Sequence, residues 1–159
     1  MARGFEICKG YEQKNINLPK RQTKYAVGYD IEAAEDTFIP SLFKLVKENK
    51  ESINKPVLVK TGIKAYFEPD EVMYLYNRSS GPSKRGLVLA NSVGVFECDY
   101  YSNPNNDGEI LVSLYNFSNE DITIRKGERI AQAVFQKFLI TDDDNAEGTR
   151  LGGFGSTDK

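Results

Sequence analysis

The chain has no histidine, and that absence removes more chemistry than any other feature of its composition. Without imidazole there is no Ser-His-Asp or Cys-His route to an activated nucleophile, and no histidine-ligated zinc site. An enzyme built from these residues takes a carboxylate as its base, and any metal is a hard cation held by oxygen. Cysteine is also scarce. Cys8 and Cys98 stand far apart, outside any CxxC spacing, and read as free thiols of a reducing cytoplasm rather than as a bridge or a zinc site. No apolar run suits a signal peptide or a membrane span, so the expectation is a cytoplasmic protein without membrane contact. The net charge is only −2, which provides no field for holding nucleic acid but leaves room for local cations on a phosphorylated small molecule. βαβ alternation and internal repeats are missing too.

What is present is one domain's length, 159 residues, and short alternating stretches rich in β-branched and aromatic residues. These run over Val57–Phe67, Val72–Tyr76, Leu87–Leu89, Ile110–Phe117, Ile122–Ile124 and Ile130–Phe138. Turn residues separate them at 68–70, 80–82, 103–108 and 126–128. The pattern predicts an all-β sandwich, barrel or jelly roll. A short surface helix is expected over Ser41–Lys50, with Ser41 as its N-cap. Residues 1–147 form the β domain, and 148–159 a flexible tail of that same domain that composition alone reads as disordered.

Four segments concentrate reactive groups. In Ala26–Ile31, Asp30 beside Gly28 either faces a metal's water shell or is a solvated turn carboxylate. In Arg78–Gly86, hydroxyls, cations and a glycine-rich turn suit phosphate oxygens, or an exposed basic turn. In Leu89–Tyr100, a hairpin carrying Asn91 and Tyr100 grips a base and a sugar, or is a plain hairpin with a polar end. The tail Arg150–Thr157 has an arginine, a ring and two hydroxyls, as a flap closing over a nucleotide would.

Taken in this order, and with Gly127–Gln132 as a further motif, these segments resemble the five motifs of the trimeric dUTPase family, from about Arg21 to Thr157. The segments Asp99–Gly108 and Gly148–Lys159 look most like dUTPases of low-GC Gram-positive bacteria or their phages. The resemblance implies a jelly-roll subunit, a homotrimer with three active sites shared between chains, and hydrolysis of dUTP to dUMP and pyrophosphate with Mg2+. It implies that Asn91 and the backbone around Gly94 and Val95 read uracil, and that Tyr100 packs under the deoxyribose and excludes a 2′-hydroxyl. Arg78, Ser79, Ser80 and Gln132 match the phosphate-binding positions. Asp30 matches the carboxylate that steadies the hydrated metal, Glu97 the general base, and Arg150, Phe154, Gly155, Ser156 and Thr157 the closing tail.

The chain departs from the family at one position that bears on mechanism. Glu97 stands where the family has Asp, and its carboxylate reaches further by one carbon–carbon bond, roughly 1.5 Å. A misplacement of about 1 Å can cost on the order of a hundredfold in rate. A working enzyme is expected, the alternative being a weakened one that acts as a nucleotide-regulated binding partner of an unidentified protein. Ser102 replaces a frequent Gly, Asp158 another, and the segment 41–55 is longer than expected. A dCTP deaminase shares the fold, but Ser113 occupies the place of its catalytic Glu. A capsid-like jelly roll explains the strands and leaves the five polar motifs unexplained.

Overall fold

The structure is a computed structural model that describes residues 2–49 and 55–148. Among these residues the chain forms eleven strands: β1 (Gly4–Ile7), β2 (Tyr29–Glu32), β3 (Thr37–Ile39), β4 (Val57–Lys60), β5 (Ile63–Tyr66), β6 (Glu71–Asn77), β7 (Leu87–Leu89), β8 (Gly94–Phe96), β9 (Leu111–Asn116), β10 (Ile122–Ile124) and β11 (Arg129–Lys137). All strand pairs are antiparallel. A four-stranded sheet has the order β2-β11-β6-β8, a three-stranded one β4-β9-β7, and two ribbons pair β1 with β5 and β3 with β10. The inward residues of these layers make one core around Ile31, Val59, Met73, Leu75, Val112 and Leu114, each at most 2% exposed. This is the all-β, jelly-roll-like architecture the alternation predicts.

The long alternating stretch 57–67 is two strands, not one. Gly62 breaks it at a φ of +67°, and a Cβ there would lie 2.6 Å from the Tyr11 ring. Only glycine adopts that backbone so close to a packed ring. The kink sends β4 to pair with β9 and β5 to pair with β1. Helix α1 (Leu42–Lys47) is shorter than the predicted segment, and Ser41 caps it by accepting a hydrogen bond from the Lys44 amide at 3.4 Å. Only Leu45 of the helix is buried.

A bulge in β11 sets up the functional face. The register between β2 and β11 shifts between Arg129 and Ala131, and the two consecutive residues Ile130 and Ala131 are both buried. The extra residue resets the in-out alternation. Arg129 and Gln132 lie three apart, which regular alternation would put on opposite faces. Here they flank the same carboxylate.

Candidate active site

That carboxylate is Asp30 on β2, directly opposite Gln132 of β11, which in turn faces Tyr76 of β6. Arg78 Nε donates to Asp30 Oδ1 at 2.9 Å, and Arg129 Nη1 donates to Oδ2 at 3.2 Å. The side chain of Asp30 is 11% exposed, that of Arg78 29%, and that of Arg129 43%. The gradient points the arginines from a buried anchor towards solvent. Gln132 Nε2 donates to the Asn77 carbonyl at 2.9 Å, which fixes the amide. Gly28 completes the packing, since a Cβ there would sit 2.2 Å from Gln132 Oε1.

Arg78 opens the turn after β6, followed by Ser79, Ser80 and a single helical turn, Gly81–Arg85. Ser83 Oγ donates to the Ser79 carbonyl at 2.8 Å, and Gly86 ends the turn at a φ of +65°. Arg85 pairs with Glu128 of the β10–β11 turn. Two clefts meet at Arg78. One, of about 380 Å3, is lined by Gly28, Asp30, Tyr76, Ser79 and Gln132 among others. The other, of about 350 Å3, runs between Ser80, Arg85, Glu128 and Arg129. Three of the five predicted motifs, around Asp30, Arg78 and Gln132, thus converge in space. The roles of Arg129, Arg85 and Gly28 escaped the sequence reading, although all three lie within quoted motifs. The bulge that brings Arg129 to Asp30 has no signature in the sequence.

A roomier cleft of about 610 Å3 lies between Arg3, Lys24, Tyr25, Glu71, Phe135 and Lys137 and contains none of the predicted residues. Three of its cations already have partners. Arg3 pairs with Glu71 and Lys137 with Asp70, while Arg21 donates to the Lys24 and Ala26 carbonyls. At Arg78, two arginines share the single carboxylate of Asp30, so either can turn to an incoming phosphate.

The third motif is not the expected hairpin. β7 belongs to the three-stranded sheet with β9, and β8 to the edge of the four-stranded sheet beside β6. Residues 90–93 therefore form a corner between two sheets, with Ser92 at a φ of +61° and its amide donating to the Leu89 carbonyl at 3.1 Å. Asn91 is exposed on this corner. Gly94 lies against Leu75, where a Cβ would approach to 2.9 Å, and Val95 is 53% exposed on the edge strand. Glu97 is exposed and leads into the one-turn helix Cys98–Tyr100, whereas Tyr100 is 6% exposed. Neither cleft around Arg78 includes any of these residues. Within one chain, then, the site residues form two separate groups. Arg150, Phe154, Gly155, Ser156 and Thr157, and the end of the 41–55 segment, lie outside the described residues.

Ser102 has a φ of +52°, in the region glycine adopts freely. That is the physical reason the family pattern favours a glycine there, as the resemblance led one to expect. Here the serine hydroxyl lies 2.9 Å from the Lys64 ammonium, whose other partner is Asp107 at 3.0 Å.

Comparison with known proteins decides the family. The family model for dUTPase matches residues 14–157. The chain belongs to the dUTPase family. It is 49% identical over 158 residues to the deoxyuridine 5′-triphosphate nucleotidohydrolase of Lactococcus lactis, covering 98% of this chain and 97% of that one. The corresponding protein of Desulfitobacterium hafniense is 34% identical over 152 residues, covering 92% and 90%. Among solved structures, the dUTPase from Streptococcus mutans superposes with a TM-score of 0.76 at 45% identity, over 87% of this chain and 98% of that one. A mutant dUTPase from phage phi11 of S. aureus shares the fold, with a TM-score of 0.67 at 17% identity over 93% and 98% of the two chains. That structure is described as revealing the coordination of a structural Mg(II) ion. The low-GC Gram-positive resemblance of the loop and the tail agrees with the Lactococcus and Streptococcus relatives.

Among the described residues there is no group of three or more Asp, Glu or Cys able to hold a metal ion. The dUTPase family is generally magnesium-dependent, and magnesium in protein sites keeps several waters and takes few protein ligands. A single carboxylate lining the cleft, Asp30, fits such a hydrated ion; a dry protein cage would require more ligands.

Proposed function

We propose that this chain hydrolyses dUTP to dUMP and pyrophosphate at a site assembled from neighbouring copies of itself. The observation that carries the reading is Arg78, anchored by Asp30 at the junction of two clefts and accompanied by Gln132, at the three positions where the dUTPase motifs bind phosphate and metal. The separation of this group from Asn91, Glu97 and Tyr100 supports a shared site. So does the outer face of the four-stranded sheet, where Tyr74, Tyr76, Val95 and Val134 leave apolar surface partly exposed beside the cleft, as a homotrimer contact would need. Two free thiols, Cys8 and Cys98, support a reducing, cytoplasmic location.

Arg78, with the Ser79 and Ser80 hydroxyls and the Gln132 amide, grips the triphosphate. The corner at Asn91, with the Gly94 and Val95 backbone, reads uracil, and the Tyr100 ring lies under the deoxyribose. Asp30 would hold magnesium, which when bound would supply charge neutralisation at the phosphates. Glu97 accepts a proton from a water whose oxygen bonds to the α-phosphorus. The bond from that phosphorus to the bridging oxygen breaks, and pyrophosphate leaves with the bridging oxygen. Arg150 meets the developing charge, Phe154 stacks on the base, and Gly155, Ser156 and Thr157 close the tail over the phosphates. The work of the residues is positioning and electrostatics.

The test is pyrophosphate release from dUTP, dCTP, dTTP and UTP with magnesium, for the natural chain, Glu97→Gln and Glu97→Asp. Release from dUTP alone, falling by about 1,000-fold in Glu97→Gln, is expected on the scale of general-base catalysis. No release by the natural chain but rapid release by Glu97→Asp would reject Glu97 as a working base. It would turn attention to the protein as a nucleotide-regulated binding partner.

A further inference from the structure

The loop between the one-turn helix Cys98–Tyr100 and β9 carries three asparagines, and two of them converge on Tyr100. At the ring's far end, Asn106 Nδ2 donates to Tyr100 Oη at 2.8 Å, while Oη donates to the Glu109 carbonyl at 3.1 Å. At the other end, Asn103 Nδ2 donates to the Tyr100 carbonyl at 2.9 Å. The two amides also hold each other, with Asn103 Nδ2 donating to Asn106 Oδ1 at 2.8 Å. Each is tied again to the loop backbone. Asn103 Oδ1 accepts from the amides of Asn105 and Asn106 at 3.0 and 3.2 Å, and Asn106 Oδ1 accepts from Gly108 N at 3.2 Å.

The ring is fixed from its sides as well. Phe96 meets it edge-on, with centroids 5.4 Å apart and planes at 73°. Gly108, at a φ of +78°, lets the loop close, since a Cβ there would lie 2.8 Å from the Tyr100 carbonyl. Loop, ring and carbonyl thus form one hydrogen-bonded unit, and networks of this kind hold a side chain more firmly than separate contacts. Exclusion of a 2′-hydroxyl by a ring is a steric effect that vanishes if the ring retreats by roughly one atom's width, so it requires a ring that cannot move.

We propose that Asn103 and Asn106 are positioning residues that fix the Tyr100 ring and so set the preference for deoxyribose over ribose. The inference rests on the reading that Tyr100 lies under the sugar. Neither asparagine touches the nucleotide; both act through Tyr100.

The test measures binding rather than turnover, so that it is independent of Glu97. The full-length chain, Asn106→Leu, Tyr100→Phe, the double variant and Tyr100→Ala are titrated by calorimetry with the α,β-imido analogues of dUTP and UTP, in magnesium. The ratio of the two dissociation constants is compared. Asn106→Leu keeps the branched outline and deletes the donor; Tyr100→Phe deletes the same bond from the other side, together with the Oη bond to the Glu109 carbonyl. Each is expected to lower the deoxyribose preference about tenfold, the scale of one buried hydrogen bond. The double variant is expected to lose less than the two single losses combined, because the changes share one interaction. Thermal unfolding accompanies each measurement. A ratio unchanged in Asn106→Leu and Tyr100→Phe, but collapsed in Tyr100→Ala, overturns the positioning role and leaves the sugar contact standing. A ratio unchanged in Tyr100→Ala overturns both. If Asn106→Leu does not fold, Tyr100→Phe alone decides.

Discussion

A Cβ added at Gly28 would overlap the end of the Gln132 side chain, with Oε1 at 2.2 Å and Cδ at 3.0 Å. The obstacle is the far end of a flexible side chain, so the backbone can stay where it is while the amide leaves the Asn77 carbonyl. Gly28→Ala should therefore cost about 1 kcal/mol of stability, one hydrogen bond. It should lower kcat/KM for dUTP by on the order of a hundredfold, the effect of moving a positioning group by about 1 Å. Parallel thermal unfolding and kinetics check this. A variant whose stability and kcat/KM fall together in small steps would mean that Gln132 does not hold the substrate. Asp30 shows the same economy. It is joined to two arginines at once, and either arginine can turn to an incoming phosphate while the other keeps the carboxylate paired.

At the scale of an element, the loop 101–109 depends on a largely buried ion pair. Lys64 of β5 is 8% exposed and Asp107 14%, with the ammonium 3.0 Å from the carboxylate. Burial alone would raise the Asp107 carboxyl, but the Lys9 amide and the Lys64 ammonium outweigh it and hold it below its ordinary value of 3.8. Burial would likewise lower Lys64, and Asp107 reverses that, so the ammonium sits above its ordinary 10.5. The depressed carboxyl stabilises the fold above its unfolded value, and that contribution is lost as pH falls through the folded one. The raised ammonium stabilises below 10.5, and its share is lost as pH rises through its folded value. Asp107→Asn strands a largely buried ammonium that keeps only Ser102 and the Tyr101 ring beside it. A loss of about 3 kcal/mol is expected at neutral pH. Denaturant titrations should find the gap to the natural chain narrowing once pH drops below about 4, as Asp107 takes up its proton. A gap that persists undiminished to pH 2 would mean that the pair contributes nothing.

The elements also divide by how openly the sequence announces them. β7 and β10 coincide with their alternating stretches, and β6, β9 and β11 nearly so, because their β-branched and other apolar residues fill the core-facing positions. β1, β2, β3 and β8 lie outside the alternating stretches: Gly4–Ile7 and Gly94–Phe96 begin on a glycine and Tyr29–Glu32 contains two acids, which weaken the strand signal. Gly62 hid the break between β4 and β5 inside unbroken alternation, for a glycine's φ is not written in its neighbours. The site was legible through its motifs, each a local string of polar and small residues. How the motifs combine was not, since the β11 bulge and the passage of 90–93 from one sheet to another are properties of pairing across the fold. The Asn103–Asn106 clasp escaped notice for the same reason: asparagines in a turn look alike until their partners are known.

For the whole molecule, the separation of Asp30, Arg78 and Gln132 from Asn91, Glu97 and Tyr100 sets a test that no single-chain measurement provides. If the nucleotide bridges two copies, each copy lends its phosphate group of residues to one site and its base and sugar group to another. Arg78→Ala and Glu97→Gln then break different halves, and each variant alone is inactive. Mixed in equal amounts, unfolded together and refolded, they assemble at random. A site is whole only when its phosphate half comes from a Glu97→Gln chain and its base half from an Arg78→Ala chain. Random association in a symmetric oligomer makes about a quarter of all sites whole. The mixture should accordingly recover about a quarter of the natural activity, with a natural KM, because the restored sites contain only natural residues. A site contained within one chain gives no recovery at any mixing ratio, and that result would remove the shared-site reading while leaving the chain's place in the dUTPase family intact. Recovery on mixing the folded variants without denaturant would report subunit exchange as well, and its rate would measure how firmly the Tyr74, Tyr76 and Val95 face is held by its neighbour.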